Sequence, residues 1–243
     1  MDQQIIALKN LFGELFAKIM AFAMEEEFEE DLCDSLIVFY NLEEGEEYEF
    51  IPTEEFLFLS WYLLDDVDTE NESLIDEFQR CNADELTLQE TQICQALKDT
   101  NLSLMQVLDV TPEESITLRD VFLGEEFKVW ESVGSDGIVK GNLLYSRVLT
   151  LGDSRFLVGA GVFLDPVVLP PLTQFITNEY HRECEEGKPV SFKQFLKENG
   201  ELINWWIRAF EKGTPLEDDP NADPKKPTPD PKDPKPDPQD SAS

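Results

Sequence analysis

A change of hydrophobic period near residue 100 constrains the fold more than any other feature of this sequence. Before it, apolar residues recur every three or four positions, which is typical of amphipathic helices. From Leu102 to Pro166 the period becomes two, and Gly, Asp and Pro interrupt it at short intervals, as in antiparallel strands joined by tight turns. After Pro170 the helical spacing returns. The sequence therefore predicts an α+β protein in which helices precede and follow a small antiparallel β-barrel or strongly bent sheet.

The same changes of pattern divide the chain into four regions. Residues 1–100 are an acidic helical region of about five helices, and residues 101–166 are a small antiparallel β-barrel. Residues 167–213 are C-terminal helices that pack on the rest, and residues 214–243 are a tail. The tail holds nine of the fifteen prolines, interleaved with Asp and Lys. A segment with so little apolar surface to bury cannot offset the entropy cost of ordering, so we predict that the tail is disordered.

Three local patterns give finer predictions. Thr87-Leu88-Gln89-Glu90 is a capping box, which indicates the start of a helix. Residues 56–64 are apolar on nearly every side, which indicates a central helix packed on both faces. In the strand region, Gly152-Asp153 is a hairpin-turn signal, and Gly159 and Gly161 indicate a bulge or sharp bend in the strand that returns from it. We expect about five short strands.

Charge excludes some classes of partner. The chain has 52 acidic and 19 basic residues, a formal net charge of −33. Residues 1–100 alone contain 27 acidic and four basic residues. Nucleic-acid binding depends on Lys and Arg replacing phosphate counterions, and anionic membrane surfaces also attract basic segments. We therefore predict no nucleic-acid partner and no membrane partner, which leaves a basic protein or a simple solvated acidic surface.

The N-terminal segment and the cysteines both favour the cytoplasm. Residues 3–24 form an amphipathic pattern interrupted by Glu14 and Lys18, which is unlike a signal peptide or a membrane span. The cysteines are widely spaced and contain no CxxC pair: Cys33, Cys81, Cys94 and Cys184. Such spacing is typical of reduced thiols rather than of a disulfide framework.

Residue usage also argues against several kinds of chemistry. The chain has one histidine, His181, whereas Ser-His-Asp and Cys-His catalysis require an imidazole base. The sequence has no Gly-rich phosphate loop. Acidic groups such as Asp65-Asp66 and Asp68-Thr69-Glu70 lack the spacing of a calcium-binding loop. We predict no cofactor, no bound metal and no catalytic residues.

Three segments in order carry a resemblance to known proteins. They are Ser103–Val110, Ile116–Val129 with Leu118-Arg119-Asp120 and Gly124-Glu125, and Lys140–Val148 with Ser146-Arg147-Val148. This series is similar to the core of uncharacterised bacterial proteins of the SEC-C motif group, over roughly residues 56–171. Many members of that group carry a cysteine-rich zinc segment at the C-terminus, which this chain lacks, since only Cys184 follows Pro171. The resemblance implies a protein of bacterial type and supplies no activity or catalytic residues.

Four charged residues of the strand region are candidates for a structural ion pair: Arg119, Asp120, Glu125 and Arg147. Arg119 and Asp120 are adjacent on a predicted strand, so their side chains point to opposite faces. Arg147 could pair across strands with Asp120 or Glu125. A binding role for these residues is the alternative.

The last helix supplies candidate contact residues for another protein: Trp205, Trp206 and Phe210. Aromatic side chains are favoured interface anchors, although packing against the rest of the chain is the simpler explanation. The partners we expect are a basic protein or a protein with an aromatic groove. We predict a non-catalytic interaction or adaptor protein. The alternatives are an enzyme using carboxylates in a cleft between helices and barrel, and an acidic mimic of nucleic acid that binds a basic protein.

Overall fold

The structure, a computed structural model, describes residues 3–43, 45–46, 48, 52–130, 138–187 and 190–213. The described residues form eight α-helices and six strands. The helices are α1 (Gln3–Ala23), α2 (Glu29–Tyr40), α3 (Pro52–Leu64), α4 (Leu74–Cys81), α5 (Leu88–Lys98), α6 (Leu169–Glu185), α7 (Phe192–Glu198) and α8 (Glu201–Lys212). The strands are β1 (Leu102–Thr111), β2 (Ser115–Asp120), β3 (Glu126–Trp130), β4 (Leu143–Leu151), β5 (Ser154–Leu157) and β6 (Val162–Leu164). The predicted α+β class is confirmed, and the predicted disordered tail lies outside the described residues.

The strands form one antiparallel sheet in the order β3-β2-β1-β4-β5, with β6 also paired to β4. β3 and β5, at the two ends of this order, lie against each other, so the sheet is nearly closed into a barrel. β5 and β6 share one edge of β4: Val148 pairs with Leu157 and Tyr145 with Val162. They are two halves of one returning strand, interrupted at residues 158–161.

The two faces of the sheet belong to different cores. On one face, Leu102 and Leu104 of β1 and Tyr145 and Leu149 of β4 join the large core formed with the helices. The opposite face closes around a smaller cluster inside the barrel: Met105, Val107, Ile116, Leu118, Val129, Ile138 and Leu144. The period of two in the sequence therefore corresponds to strand residues that face the helices and the barrel interior in alternation.

Helix α3 lies at the centre of the large core. Every residue from Leu57 to Leu64 is buried, as its apolar composition on all sides predicts. Next in the chain, the predicted capping box at the start of α5 is confirmed, because Glu90 N–H donates to Thr87 Oγ1 (3.2 Å) and Thr87 N–H donates to Glu90 Oε2 (2.9 Å).

The predicted bend in the returning strand is present, and it depends on the lack of a side chain at Gly161. A Cβ atom there would lie 2.5 Å from Leu144 Cδ1 and 2.9 Å from the Tyr145 carbonyl oxygen. The backbone of the bend therefore rests directly on β4.

Replacing Gly161 with Ala is expected to destabilise the protein by about 1–3 kcal/mol, the usual cost of overpacking. Gly13→Ala is the matched control, because Gly13 lies within α1 with no atom within 4 Å of its added Cβ, and alanine there stabilises a helix by about 0.5–1 kcal/mol. Urea unfolding of both variants measures the difference. A Gly161→Ala protein as stable as the parent would contradict this close packing of Gly161 on β4.

Candidate functional site

A buried charge cluster joins the sheet to the helices. The Arg147 side chain on β4 is fully buried, and its guanidinium donates to both carboxylate oxygens of Asp65, with a distance of 3.2 Å from Nη1 to Oδ1. Arg147 Nη1 also donates to Thr100 Oγ1 at 2.9 Å. Lys197 of α7 completes the cluster, since its Nζ donates to Asp65 Oδ1 (2.6 Å) and to the Leu64 carbonyl oxygen (2.7 Å). Each charged group therefore has a hydrogen-bonded partner of opposite charge, as burial requires, and the two cations share the one carboxylate of Asp65.

This geometry corrects the pairing predicted for Arg147. Arg147 alternates in phase with Tyr145 and Leu149, on the helix-facing side of the sheet. Asp120 is in phase with Ile116 and Leu118, which line the barrel interior. The two charges lie on opposite sides of the sheet and cannot pair.

Arg119 and Glu125 also have other surroundings. Arg119 instead forms an exposed ion pair with its cross-strand neighbour Glu126, and Glu125 is exposed in the turn between β2 and β3.

Glu201, the first residue of α8, lies beside the charge cluster. Burial raises the pKa of Glu201 to about 7, and the nearby negative charges of Asp65 and Asp66 add to the rise. An interaction with Trp61 acts in the opposite direction and lowers the pKa. Its Oε2 atom is buried and has no hydrogen-bond partner among the described residues. A carboxyl group in such a place favours its neutral form.

The aromatic residues of α8 have three different environments. Trp206 is only 5% exposed and belongs to the core, which leaves it no surface to offer a partner. Trp205 Nε1 donates to the Val38 carbonyl oxygen at 2.8 Å and so ties α8 to α2. Phe210 stacks on Trp206 and is 50% exposed. Of the three predicted contact residues, Phe210 therefore presents the most accessible ring.

A cleft of about 420 Å³ opens between α2, α3, α4 and the loop at residues 67–73. We call it the acidic cleft, because seven carboxylates line it: Asp31, Asp34, Asp66, Asp68, Glu70, Glu72 and Glu77. Arg80 is the one cation in its lining, and it is already paired with Glu77 at 3.0 Å. Apolar side chains also line it, among them the exposed Val67 and the half-buried Leu74. The cleft thus combines an apolar surface with a strongly negative rim.

The loop that forms one wall of the acidic cleft is held by its own hydrogen bonds. Val67 and Ser73 form an isolated antiparallel bridge across its base. Asp68 Oδ1 accepts the N–H groups of Glu70 (2.8 Å) and Glu72 (2.9 Å). These contacts fix the loop carboxylates near those of α2.

Asp66 is one of two half-buried carboxylates of the acidic cleft, the other being Glu77. Burial raises its pKa, the Ser35 hydroxyl and the Val67 amide oppose that rise, and the negative charges of Asp31 and Asp65 add to it. The Ser35 hydroxyl donates directly to Asp66 Oδ2. A cation bound beside Asp66 would stabilise its charged form, so binding and ionisation are linked there.

The sequence contains only a weak signal for the acidic cleft. It singled out Asp65-Asp66 and Asp68-Thr69-Glu70 as acidic groups, and these end α3 and begin the loop. Asp65 turns inward to Arg147 whereas Asp66 lines the cleft. Within the described ranges, no group of three or more His, Cys, Asp or Glu side chains is arranged to hold a metal ion.

The fold and the acidic cleft define a class: a mainly helical protein with a barrel-like sheet and an anionic cleft among its N-terminal helices. The chain belongs to a family of unknown function, DUF7986, whose model matches residues 7–195. The matched range contains all lining residues of the acidic cleft, and it ends within α7, before α8. No curated protein and no solved structure matches the chain. The similarity to the SEC-C core is not addressed by this match and stays a prediction.

One further finding concerns membranes. Among the helices that the structure describes, none has both the length and the apolar composition needed to cross a lipid bilayer.

Proposed function

We propose that this protein is a non-catalytic, cytoplasmic interaction protein whose acidic cleft holds a basic segment of a partner protein. The observation that carries the proposal is the lining of the cleft, in which seven carboxylates face a single, already paired arginine. Such a concentration of one sign of charge in a concavity raises the local concentration of cationic ligands and speeds their association.

The shape of the acidic cleft suits a Lys or Arg side chain. Long basic side chains lay their aliphatic stems on apolar surface and keep the charged head in a polar site. The exposed Val67 and the half-buried Leu74 supply a surface for the stem, and Asp66 supplies an anionic group for the head. The rim carboxylates Asp31, Asp34 and Glu70 are exposed and would attract neighbouring basic residues of the same segment.

The cysteines support the proposed compartment. All four are free thiols, and Cys33 and Cys81 are exposed. Exposed thiols without disulfide partners are typical of a reducing compartment.

Removing rim charges is expected to weaken binding of a basic peptide by about tenfold, since three partly exposed ion pairs at about 0.5 kcal/mol each are lost. The cleft variant carries Asp31→Asn, Asp34→Asn and Glu70→Gln, all at exposed positions. Fluorescence anisotropy with a short labelled peptide of alternating Lys and Gly measures the dissociation constant at low salt.

The control variant loses the same three charges elsewhere: Asp153→Asn, Glu185→Gln and Glu186→Gln. These residues are exposed, on the β4–β5 turn and at the end of α6, and we expect a change of about twofold or less from screened long-range charge. Equal weakening in the two variants would mean that the peptide responds to net charge alone, and the acidic cleft would lose its assigned role.

A further inference from the structure

A second cleft, of about 250 Å³, lies at one end of the barrel. We call it the barrel-mouth cleft. Its walls come from the start of β1, the β2–β3 turn and the β4–β5 hairpin, and residues of α5 and α7 complete it. The acidic cleft and the barrel-mouth cleft share no lining residue.

Asp120 is the buried carboxylate of the barrel-mouth cleft, and it is only 4% exposed. Its Oδ1 atom accepts the N–H groups of Phe122 (2.9 Å) and Leu123 (2.8 Å). Burial raises its pKa, and the two amides act against the rise. No ion pair with Asp120 is found among the described residues. A buried carboxylate without a cation is an electrostatic cost that a cationic ligand would relieve.

Two cations line the same cleft, Arg155 and Lys193. Arg155 is half-buried, lies over the Phe127 ring at 4.9 Å, and its Nε is 3.4 Å from Thr150 Oγ1. Neither cation forms an ion pair within the described part of the chain. Elsewhere on the sheet, exposed cations are paired, as in Arg119–Glu126 and Lys128–Glu114. In a chain with 52 acidic and 19 basic residues, two unpaired cations in one cleft indicate a site for an anionic group.

Opposite charges that face one cleft without pairing with each other call for a ligand that carries both. We propose that the barrel-mouth cleft binds a small zwitterion of the amino-acid type. Its ammonium group lies beside Asp120 with Asp99 and Glu125 at the rim, and its carboxylate lies between Arg155 and Lys193. An anion alone would be repelled by the three carboxylates, and a cation alone would leave Arg155 and Lys193 unpaired. The cleft is smaller than the roughly 300–1,000 Å³ of pockets for drug-sized ligands, which fits a molecule as small as an amino acid.

The test uses the full chain and the standard amino acids, one at a time, in isothermal titration. We expect at least one to bind with a dissociation constant below about 10 mM. For that amino acid, the amide derivative lacks the carboxylate and the N-acetyl derivative lacks the ammonium group. Each derivative is expected to bind about tenfold more weakly or worse, because a charged hydrogen-bonding group has been removed.

Variants then locate the binding. Arg155→Gln and Lys193→Gln are each expected to weaken it about tenfold or more, and Asp120→Asn about 30-fold or more. Asn keeps the acceptor oxygen that the Phe122 and Leu123 amides use, and if Asp120→Asn still fails to fold, the Arg155 and Lys193 variants decide. Arg119→Gln is the matched control, because Arg119 is an exposed cation on the same sheet paired with Glu126, and it should change the dissociation constant by no more than about twofold. Failure of every amino acid to bind, or binding that Arg155→Gln and Lys193→Gln leave unchanged, overturns the proposal.

Discussion

Replacing Asp65 with Asn is expected to destabilise the protein by about 3–5 kcal/mol, the usual cost of removing one partner from a buried ion pair. Asp65 is the only carboxylate that Arg147 and Lys197 are found to bond among the described residues. Without its charge, two cations would face each other in the core, 0% and 22% exposed in their side chains. Urea unfolding, monitored by circular dichroism, measures the loss.

Arg147→Met should cost less than Asp65→Asn, because Lys197 still compensates Asp65 when Arg147 is absent. The neighbouring substitution Asp66→Asn is the matched control. It removes the same charge one residue further on, from a side chain in the acidic cleft that burial already biases toward its neutral form, and we expect a change of about 1 kcal/mol or less. Equal losses for Asp65→Asn and Asp66→Asn would show that the charge cluster does not anchor the fold.

Glu201 is expected to make the protein less stable as pH rises from about 4.5 to about 7. The pKa of Glu201 in the folded protein is about 7, above its ordinary value of 4.5. Between these values the unfolded chain loses its proton while the folded chain keeps it, so unfolding becomes easier as pH rises. Above pH 7 both states are ionised and the penalty levels off at roughly 3 kcal/mol, as follows from about 1.4 kcal/mol for each pH unit.

Glu201→Gln removes this dependence. The variant should match the parent near pH 4.5 and exceed its unfolding free energy by up to about 3 kcal/mol at pH 8, as measured by urea unfolding at both values. Glu198→Gln is the control, since Glu198 is an exposed residue of the adjacent helix α7. If Glu201→Gln and the parent differ by the same amount at both pH values, Glu201 does not titrate in this range.

Local pattern was enough to predict the classes of the elements but not their partners. Period two and Gly-containing turns predicted the barrel, and Thr87 with Glu90 predicted the start of α5, because these signals lie within a few residues of each other. The partner of Arg147 is Asp65, 82 residues away. Choosing it requires knowing which face of β4 meets the helices, and alternation alone does not distinguish the helix-facing side from the barrel-facing side when both are apolar.

The sequence did not predict the two clefts, for a related reason. The acidic cleft needs α2, α3 and α4 to meet, and a chain with 27 acidic residues in its first hundred offers no local signal for which of them converge. The barrel-mouth cleft combines Asp120 with Arg155 and Lys193, which come from β2, β5 and α7. The sequence did identify a cleft between helices and barrel as one alternative, but without residues to define it.

The position of Arg147 has a consequence for how the chain is divided. A single guanidinium on β4 bonds Asp65 just after α3, Thr100 shortly before β1 and, through Asp65, Lys197 of helix α7, so three of the four regions marked by sequence pattern meet at one ion. Cutting the chain near residue 100 would separate Arg147 from its counter-charge Asp65. Cutting it near residue 166 would separate Arg147 from helix α7. We therefore expect the regions to fold together, because a barrel excised from the chain would carry Arg147 on a newly exposed face without its counter-charge.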